Sequence, residues 1–294
     1  MNNKEAIMIG VAGAGAMGVG IAQTAATAGF RVVLYARRPE TLEEAFPAMR
    51  ASLAKLYEKG IVGEKPELIL SRIIPSHGLE SLAACSLVVE AIAEQMDLKC
   101  TFLRRLVPLL GDSAILATTT SSLSVTALGT ASGIPDRCIG MHFMNPVPLM
   151  EVVELIAGEQ TSPQAILFAQ EMTAALGKTF VNCKDQPGFI ITRLLGVMMN
   201  EAFRMLQDGV ASAEEIDTAM KLGAHHPMGP FVLADMVGLD IIQAALGTLS
   251  SGIHDTRYAP SPLLREYVAK GLLGRKSGQG VYSYQSRGIG HEEH

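Results

Sequence analysis

The sequence has little charge. Asp, Glu, Lys and Arg make up 18% of its 294 residues, against about a quarter in ordinary soluble domains. That scarcity excludes a disordered chain, a coiled coil and a surface coated in charge for nucleic acid. Basic excess is also missing: the net charge is -5 and the pI is near 5.8. No footprint for a polyphosphate backbone exists, and no nucleic-acid partner is expected. Cysteine is scarce too. The four, at 85, 100, 138 and 183, lie far apart without a CxxC pair. They offer no frame for a metal and read as small buried hydrophobes in a reducing, cytoplasmic compartment.

Charge is absent altogether from Ala6 to Phe30. By length, such a stretch could be a signal peptide or a membrane span. Six of its 25 residues are Gly, however, and Gln23, Thr24 and Thr27 interrupt its second half. Both features weaken transfer into lipid, so no membrane partner is expected. No internal repeat or low-complexity segment appears.

What is present is alternation. The chain is 48% hydrophobic and long enough for about two domains, each with its own core. Ile7 to Ala12 is a short apolar run of the kind a buried parallel strand shows, and it stops at a glycine cluster. Met17, Ile21, Ala25 and Ala28 then recur at helical spacing until Gly29, and a second strand follows from Arg31 to Tyr35. This is a βαβ unit. Further strands are predicted at 87–89, 114–116 and 138–141, separated by helical stretches such as 98–110. The pattern predicts a doubly wound α/β parallel sheet with helices on both faces. Residues 40–72, richer in Glu, Lys and Leu, read as one or two inserted amphipathic helices.

From Asp185-Gln186-Pro187-Gly188 onward the period becomes 3.6. Ile190, Leu194, Val197 and Met198 begin one helix, and others are expected over 214–221 and 231–249. The boundary is placed near Gln186, giving an α/β domain over 1–186 and an all-helical domain over 187–294. The apolar helix faces of the second domain imply burial against a partner subunit, as in a homodimer.

Gly13-Ala14-Gly15-Ala16-Met17-Gly18 fits G-x-G-x-x-G after a strand and at the start of a helix. The first glycine allows the turn, the second admits a pyrophosphate to the backbone, and the third lets helix pack on strand. The alternative is a glycine-rich packing turn, but the surrounding βαβ context favours a dinucleotide. An Asp or Glu at the end of the second strand would accept the ribose hydroxyls of NAD. Here Ala36-Arg37-Arg38 follows instead, with no carboxylate before Glu40. Two guanidinium groups suit a 2′-phosphate, which favours NADP over NAD unless both arginines are merely solvated loop residues.

His142-Phe143-Met144-Asn145-Pro146-Val147-Pro148 follows a predicted strand, which places His142 at the sheet's carboxyl edge, where open α/β sheets bind ligands. Glu154 comes twelve residues later. A histidine can take a hydroxyl proton while hydride leaves the same carbon, and a carboxylate on its other nitrogen fixes the tautomer. A lone histidine in such a setting would otherwise be a satisfied core residue.

Taken together, these motifs resemble the 3-hydroxyacyl-CoA dehydrogenase family, most closely its 3-hydroxybutyryl-CoA branch. The resemblance spans nearly the whole chain. Besides the glycine turn and the His142 segment it covers Val89-Glu90-Ala91-Ile92 with Glu94 and Lys99, Thr120-Ser121-Ser122, and Pro187-Gly188-Phe189 with Arg193. Farther on it takes in His226-Pro227-Met228-Gly229-Pro230 and Gly274-Arg275-Lys276-Ser277-Gly278-Gln279-Gly280. It implies a Rossmann-type domain followed by a helical dimerisation domain, an acyl-CoA substrate and a place in fatty-acid metabolism. By position it implies His142 as general base, Glu154 as its partner, and Ser121 as a contact to the substrate's C3 oxygen. Asn145 is implied as a substrate contact, and Glu94 and Lys99 lie near the nicotinamide side. Ser52 and Lys59 match positions that touch CoA, or else form an exposed helix face.

Departures accompany the match. Thr119 and Thr192 stand where the family commonly has Asn, at a cofactor-side and a catalytic position respectively. Threonine keeps a hydroxyl but loses the amide's reach and its paired donor and acceptor. With Ala36, these changes leave two alternatives open: a dehydrogenase of a non-thioester hydroxy acid on the same fold, or a low-turnover dinucleotide-binding protein. An intact His142 and Glu154 argue against the second. His225-His226 does not form a metal pair, since adjacent side chains do not share a helix face. Met198, Met199 and Met205 read as core, and His291 and His294 lie in a polar tail.

Overall fold

An eight-stranded sheet organises the N-terminal part of the chain. The computed structural model describes residues 7–284. His291 and His294, and Ala6 at the start of the uncharged stretch, lie outside the described residues. The chain divides into two units, the first ending at Phe189 and the second starting at Ile190. The division falls three residues beyond Gln186, because Phe189 is buried with Val125 and Ile156 of the first unit.

The first unit runs β1 (Met8–Ala12), α1 (Ala16–Thr27), β2 (Arg31–Tyr35), α2 (Pro39–Glu58), α3 (Pro66–Leu70), β3 (Ile73–Ser76) and β4 (Leu87–Glu90). It continues with α4 (Met96–Leu106), β5 (Ile115–Thr118), α5 (Val125–Ser132), β6 (Cys138–Phe143), β7 (Val152–Ala157), α6 (Pro163–Ala175) and β8 (Thr179–Lys184). The order across the sheet is β3-β2-β1-β4-β5-β6-β7-β8. The uncharged stretch is explained by burial: β1 is interior, and α1 buries Ile21, Ala22, Gln23, Thr24, Ala25 and Ala26 on several sides.

The sheet departs from the expected all-parallel pattern at one place. β6 and β7 are antiparallel, whereas every other neighbouring pair is parallel. The connection through Asn145 to Glu151 is too short for a helical crossover, so the chain can only turn back. β3 and β8 close the two edges. Pro75 is tolerated on β3 because an edge strand can lack a ladder donor.

The second unit is helical, with α7 (Ile191–Gln207), α8 (Ala213–Gly223), α9 (Pro230–Val237), α10 (Leu239–Ile253) and α11 (Pro262–Ala269). Phe203 and Phe231 meet edge to face with centroids 5.2 Å apart at its core. The single helix expected over 231–249 is two helices meeting at 96°. Gly238, at φ +107°, makes the break, a conformation in which a side chain is strained. Met199 is buried in this core, with Met198 and Met205 packed against it. Among the described residues no single helix is long and apolar enough to cross a membrane.

Candidate active site

The turn after β1 is built for a ligand backbone. Gly13 adopts φ +118°, and a Cβ there would sit 2.4 Å from the Ala91 carbonyl oxygen. A Cβ on Gly18 would sit 1.8 Å from the Gly13 carbonyl oxygen. These two glycines are demanded by the protein itself. Gly15 is not: a Cβ there meets nothing within 4 Å. It caps α1 without a side-chain acceptor, which leaves the helix's first N–H groups open. Space together with free donors fits a pyrophosphate. Ala16 and Met17 form the helix's first turn.

β2 ends beside this turn, where the Gly13 N–H donates to the Tyr35 carbonyl. Ala36 is buried, its N–H donating to Ser76 and its carbonyl lying 3.2 Å from His77 Nδ1. Arg37 and Arg38 are exposed. No carboxylate stands at the end of this strand.

Four strands along the sheet, His142 and Glu154 are direct cross-strand partners of β6 and β7. His142 Nδ1 lies 2.6 Å from Glu154 Oε2, with the carboxylate fully buried and the histidine 7% exposed. A carboxylate can only accept, so in the neutral imidazole Nδ1 carries the proton and Nε2 the lone pair. Phe189 lies against the ring with centroids 5.7 Å apart. It does so from a left-handed backbone at φ +48°. Sequence reasoning quoted Phe189 only within a motif and missed this contact; its signal was the Pro187-Gly188 turn that aims it.

A third group gathers at the ends of β4 and β5. Glu94 Oε1 accepts from Thr120 Oγ1, the Ser121 N–H at 2.9 Å and the Ser122 N–H at 3.3 Å, with Ser121 Oγ at 3.4 Å. One carboxylate thus holds the Thr-Ser-Ser loop. Asp185 ties the next segment, accepting from Ser124 Oγ and from the Val125 and Thr126 N–H groups.

The family comparison joins these parts. The 3-hydroxyacyl-CoA dehydrogenase NAD-binding domain matches residues 8–186, and the C-terminal domain of the same family matches 188–284. The chain belongs to the 3-hydroxyacyl-CoA dehydrogenase family. The dehydrogenase is 50% identical over 275 residues to a Deinococcus radiodurans protein named "Probable 3-hydroxybutyryl-CoA dehydrogenase", covering 94% of this chain and 99% of the relative. Its fold matches the crystal structure of (S)-3-hydroxybutyryl-CoA dehydrogenase from Ralstonia eutropha with a TM-score of 0.91 and 42% identity, over 95% and 99% of the two chains. A diketoreductase structure is also similar, with a TM-score of 0.80 and 30% identity over 95% and 99%.

The dehydrogenase places the remaining candidates unevenly. Thr119 directly follows β5, its N–H donating to the Glu90 carbonyl. Asn145 is exposed just after β6. Lys99, expected beside the cofactor, is fully buried, and its ammonium is bound by Glu90. Its own surface is not available to a ligand. Ser52 accepts from Gln23 at 3.1 Å, while Lys59 is exposed at the end of α2. Gln23 also lines a cleft of about 460 Å³ walled by Leu56, Ile61, Val62, Leu149 and Met150. Thr192 stands in the first turn of α7, in the second unit. His225 and His226 precede α9, and no metal-binding group of His, Cys, Asp or Glu occurs among the described residues.

Proposed function

We propose that this dehydrogenase interconverts a short 3-hydroxyacyl-CoA and the matching 3-ketoacyl-CoA, with His142 as general base and NADP(H) as the preferred partner. The observation that carries it is the His142–Glu154 pair, in register near the carboxyl end of β6, the end at which open α/β sheets bind ligands. A bound nicotinamide supplies hydride transfer at its C4 atom. In the oxidative direction His142 Nε2 takes the C3 hydroxyl proton as the C3 hydride departs, and Glu154 stabilises the imidazolium. In the reductive direction the same imidazolium returns the proton to the C3 oxygen. Ser121 donates its hydroxyl to that oxygen, and Asn145 lines the substrate's path.

The cofactor preference rests on Ala36, Arg37 and Arg38. With no carboxylate at the strand end, nothing repels a 2′-phosphate, and two exposed guanidinium groups are at hand to bind it. Gly13, Gly15, Ala16, Met17 and Gly18 hold the pyrophosphate, while Glu94 and Thr119 face the nicotinamide side. For the CoA portion, the cleft beside Gln23 offers apolar walls next to Ser52, with Lys59 available for a phosphate. Exposed apolar side chains on the second unit, Leu194, Leu222 and Ile241 among them, support a homodimer. Four unpaired cysteines support a reducing, cytoplasmic setting.

A non-thioester substrate is the second reading, favoured by Thr119 and Thr192 and by the similarity to a diketoreductase. Mixing the purified protein with acetoacetyl-CoA and either NADPH or NADH separates these readings. Rapid oxidation of NADPH at a KM below that for NADH supports the proposal. Turnover only of free dicarbonyl compounds would replace the substrate assignment, and a clear NADH preference would remove the cofactor assignment.

A further inference from the structure

Glu90 ends β4 with its side chain fully buried, and none of the chemistry above uses it. Its carboxylate nevertheless accepts four hydrogen bonds. Lys99 Nζ donates to both its oxygens, at 2.7 and 2.9 Å, Thr118 Oγ1 donates at 2.8 Å, and the Ile92 N–H donates at 2.8 Å. Lys99 is itself buried. Taking both ions out of water is costly, and an apolar pair of the same volume would often hold a fold as well. A buried pair of this kind calls for a purpose other than stability.

The other side of the ammonium supplies one. Lys99 Nζ also lies 3.4 Å from Glu94 Oε2. Glu94 is 37% exposed at its side chain, and its second oxygen collects Thr120 Oγ1 and the N–H groups of Ser121 and Ser122. The ammonium is therefore shared between an immobile carboxylate and one that grips a loop. Within that grip the Ser121 N–H is close, at 2.9 Å, while the Ser121 hydroxyl is distant, at 3.4 Å. The backbone is fixed and the hydroxyl is loosely held, free to turn toward a substrate oxygen.

We propose that Glu90 is a positioning residue: through Lys99 it fixes Glu94, and through Glu94 it sets the loop that presents the Ser121 hydroxyl. The last link rests on the reading of Ser121 given above. Glu90→Gln keeps the side-chain shape but removes the charge that anchors Lys99. The ammonium then draws on Glu94 alone and pulls its carboxylate away from the loop.

A double-mutant cycle on kcat tests the relay, because residues acting through one another give non-additive losses whereas independent structural damage adds. Glu90→Gln should lower kcat about tenfold in the parent and less than about twofold in a Ser121→Ala background. Equal losses in the two backgrounds, or no loss in the parent, would overturn the proposal. Should the single variant fail to fold, Glu90→Gln with Lys99→Met takes its place, since that pair strands no buried charge, and the same two outcomes apply. Ser121→Ala alone checks the link beneath. If it is as fast as the parent, the reading of Ser121 falls and the outlet of the relay falls with it; equal losses would remove the relay only.

Discussion

His142 and Glu154 face each other across the only antiparallel pair among the described strands of the sheet, Nδ1 to Oε2 at 2.6 Å. Reversal of the chain after Pro148 is what makes them neighbours. A parallel crossover would have carried residue 154 away into a helix.

The pairing predicts unequal effects of removing its two members. His142→Ala removes the base itself and should lower kcat about 10²–10⁴-fold. Glu154→Gln leaves the imidazole in place but can donate to Nδ1, favouring the tautomer with its proton on Nε2, and should lower kcat about 10²-fold or more. Cofactor affinity, measured by fluorescence titration, should stay within about twofold for both, on the order of the scatter among neutral substitutions. An alanine variant with more than a tenth of parental kcat would remove His142 as the base.

Two glycines of the turn should separate stability from binding. Gly18→Ala drives a Cβ to within 1.8 Å of a carbonyl oxygen, an overlap that costs about 1–3 kcal/mol or more. Its Tm should fall. Gly15→Ala meets no protein atom within 4 Å, so its Tm should hold while the methyl group obstructs the pyrophosphate. Calorimetry and cofactor titration on the two variants check this. A Gly15→Ala protein that binds the cofactor as tightly as the parent would contradict the assignment of the turn.

Alkaline pH should weaken the fold through its thiols. Burial pushes Cys85 up to about 11 and Cys138 and Cys183 up to about 12, from an ordinary 9.0. Between pH 9 and those values the unfolded chain has released protons that the folded chain still holds. Stability is therefore complete below the lower value and falls as pH rises. The urea midpoint should drop from about pH 8 to about pH 10.5, and replacing Cys85 and Cys138 by Ala should flatten the slope, because the linkage follows those protons. Parallel slopes in parent and variant would exclude the thiols as its source.

Much of this architecture was legible in the sequence, and the exceptions have physical causes. The glycine turn and strands β1, β2, β4, β5 and β6 were readable because short apolar runs alternate with helical spacing. β7 was missed because Val152-Val153-Glu154-Leu155-Ile156 is buried almost throughout and shows no period of two. β8 lies on an edge, with most of its side chains exposed. The break at Gly238 was hidden because the apolar period continues across it, from Phe231 through Leu239 to Leu249. In the site, the His142–Glu154 pair was legible from spacing and resemblance. The burial of Lys99 was not, since a lysine in a helix beside Asp97 looks solvated until its partner Glu90 is found across the fold.

The cofactor preference can be reversed at one position. Ala36 directly follows β2, where a carboxylate would accept ribose hydroxyls, and its methyl group is buried beside the carbonyl and N–H that tie it to His77 and Ser76. Ala36→Asp would place a negative charge against a 2′-phosphate, a like-charge contact that costs several kcal/mol where solvent is excluded and less where it is not. At the same time the new carboxylate gives NAD an acceptor it lacks. The ratio of kcat/KM for NADPH to that for NADH should fall about tenfold or more, since each 1.4 kcal/mol is a factor of about ten. Arg37→Ala with Arg38→Ala should lower the same ratio through NADPH alone, leaving NADH kinetics near parental. Steady-state rates with both cofactors on the three proteins decide the matter. Equal loss with NADPH and NADH in the arginine variant would show the guanidinium groups to be solvated loop residues with no part in reading the phosphate.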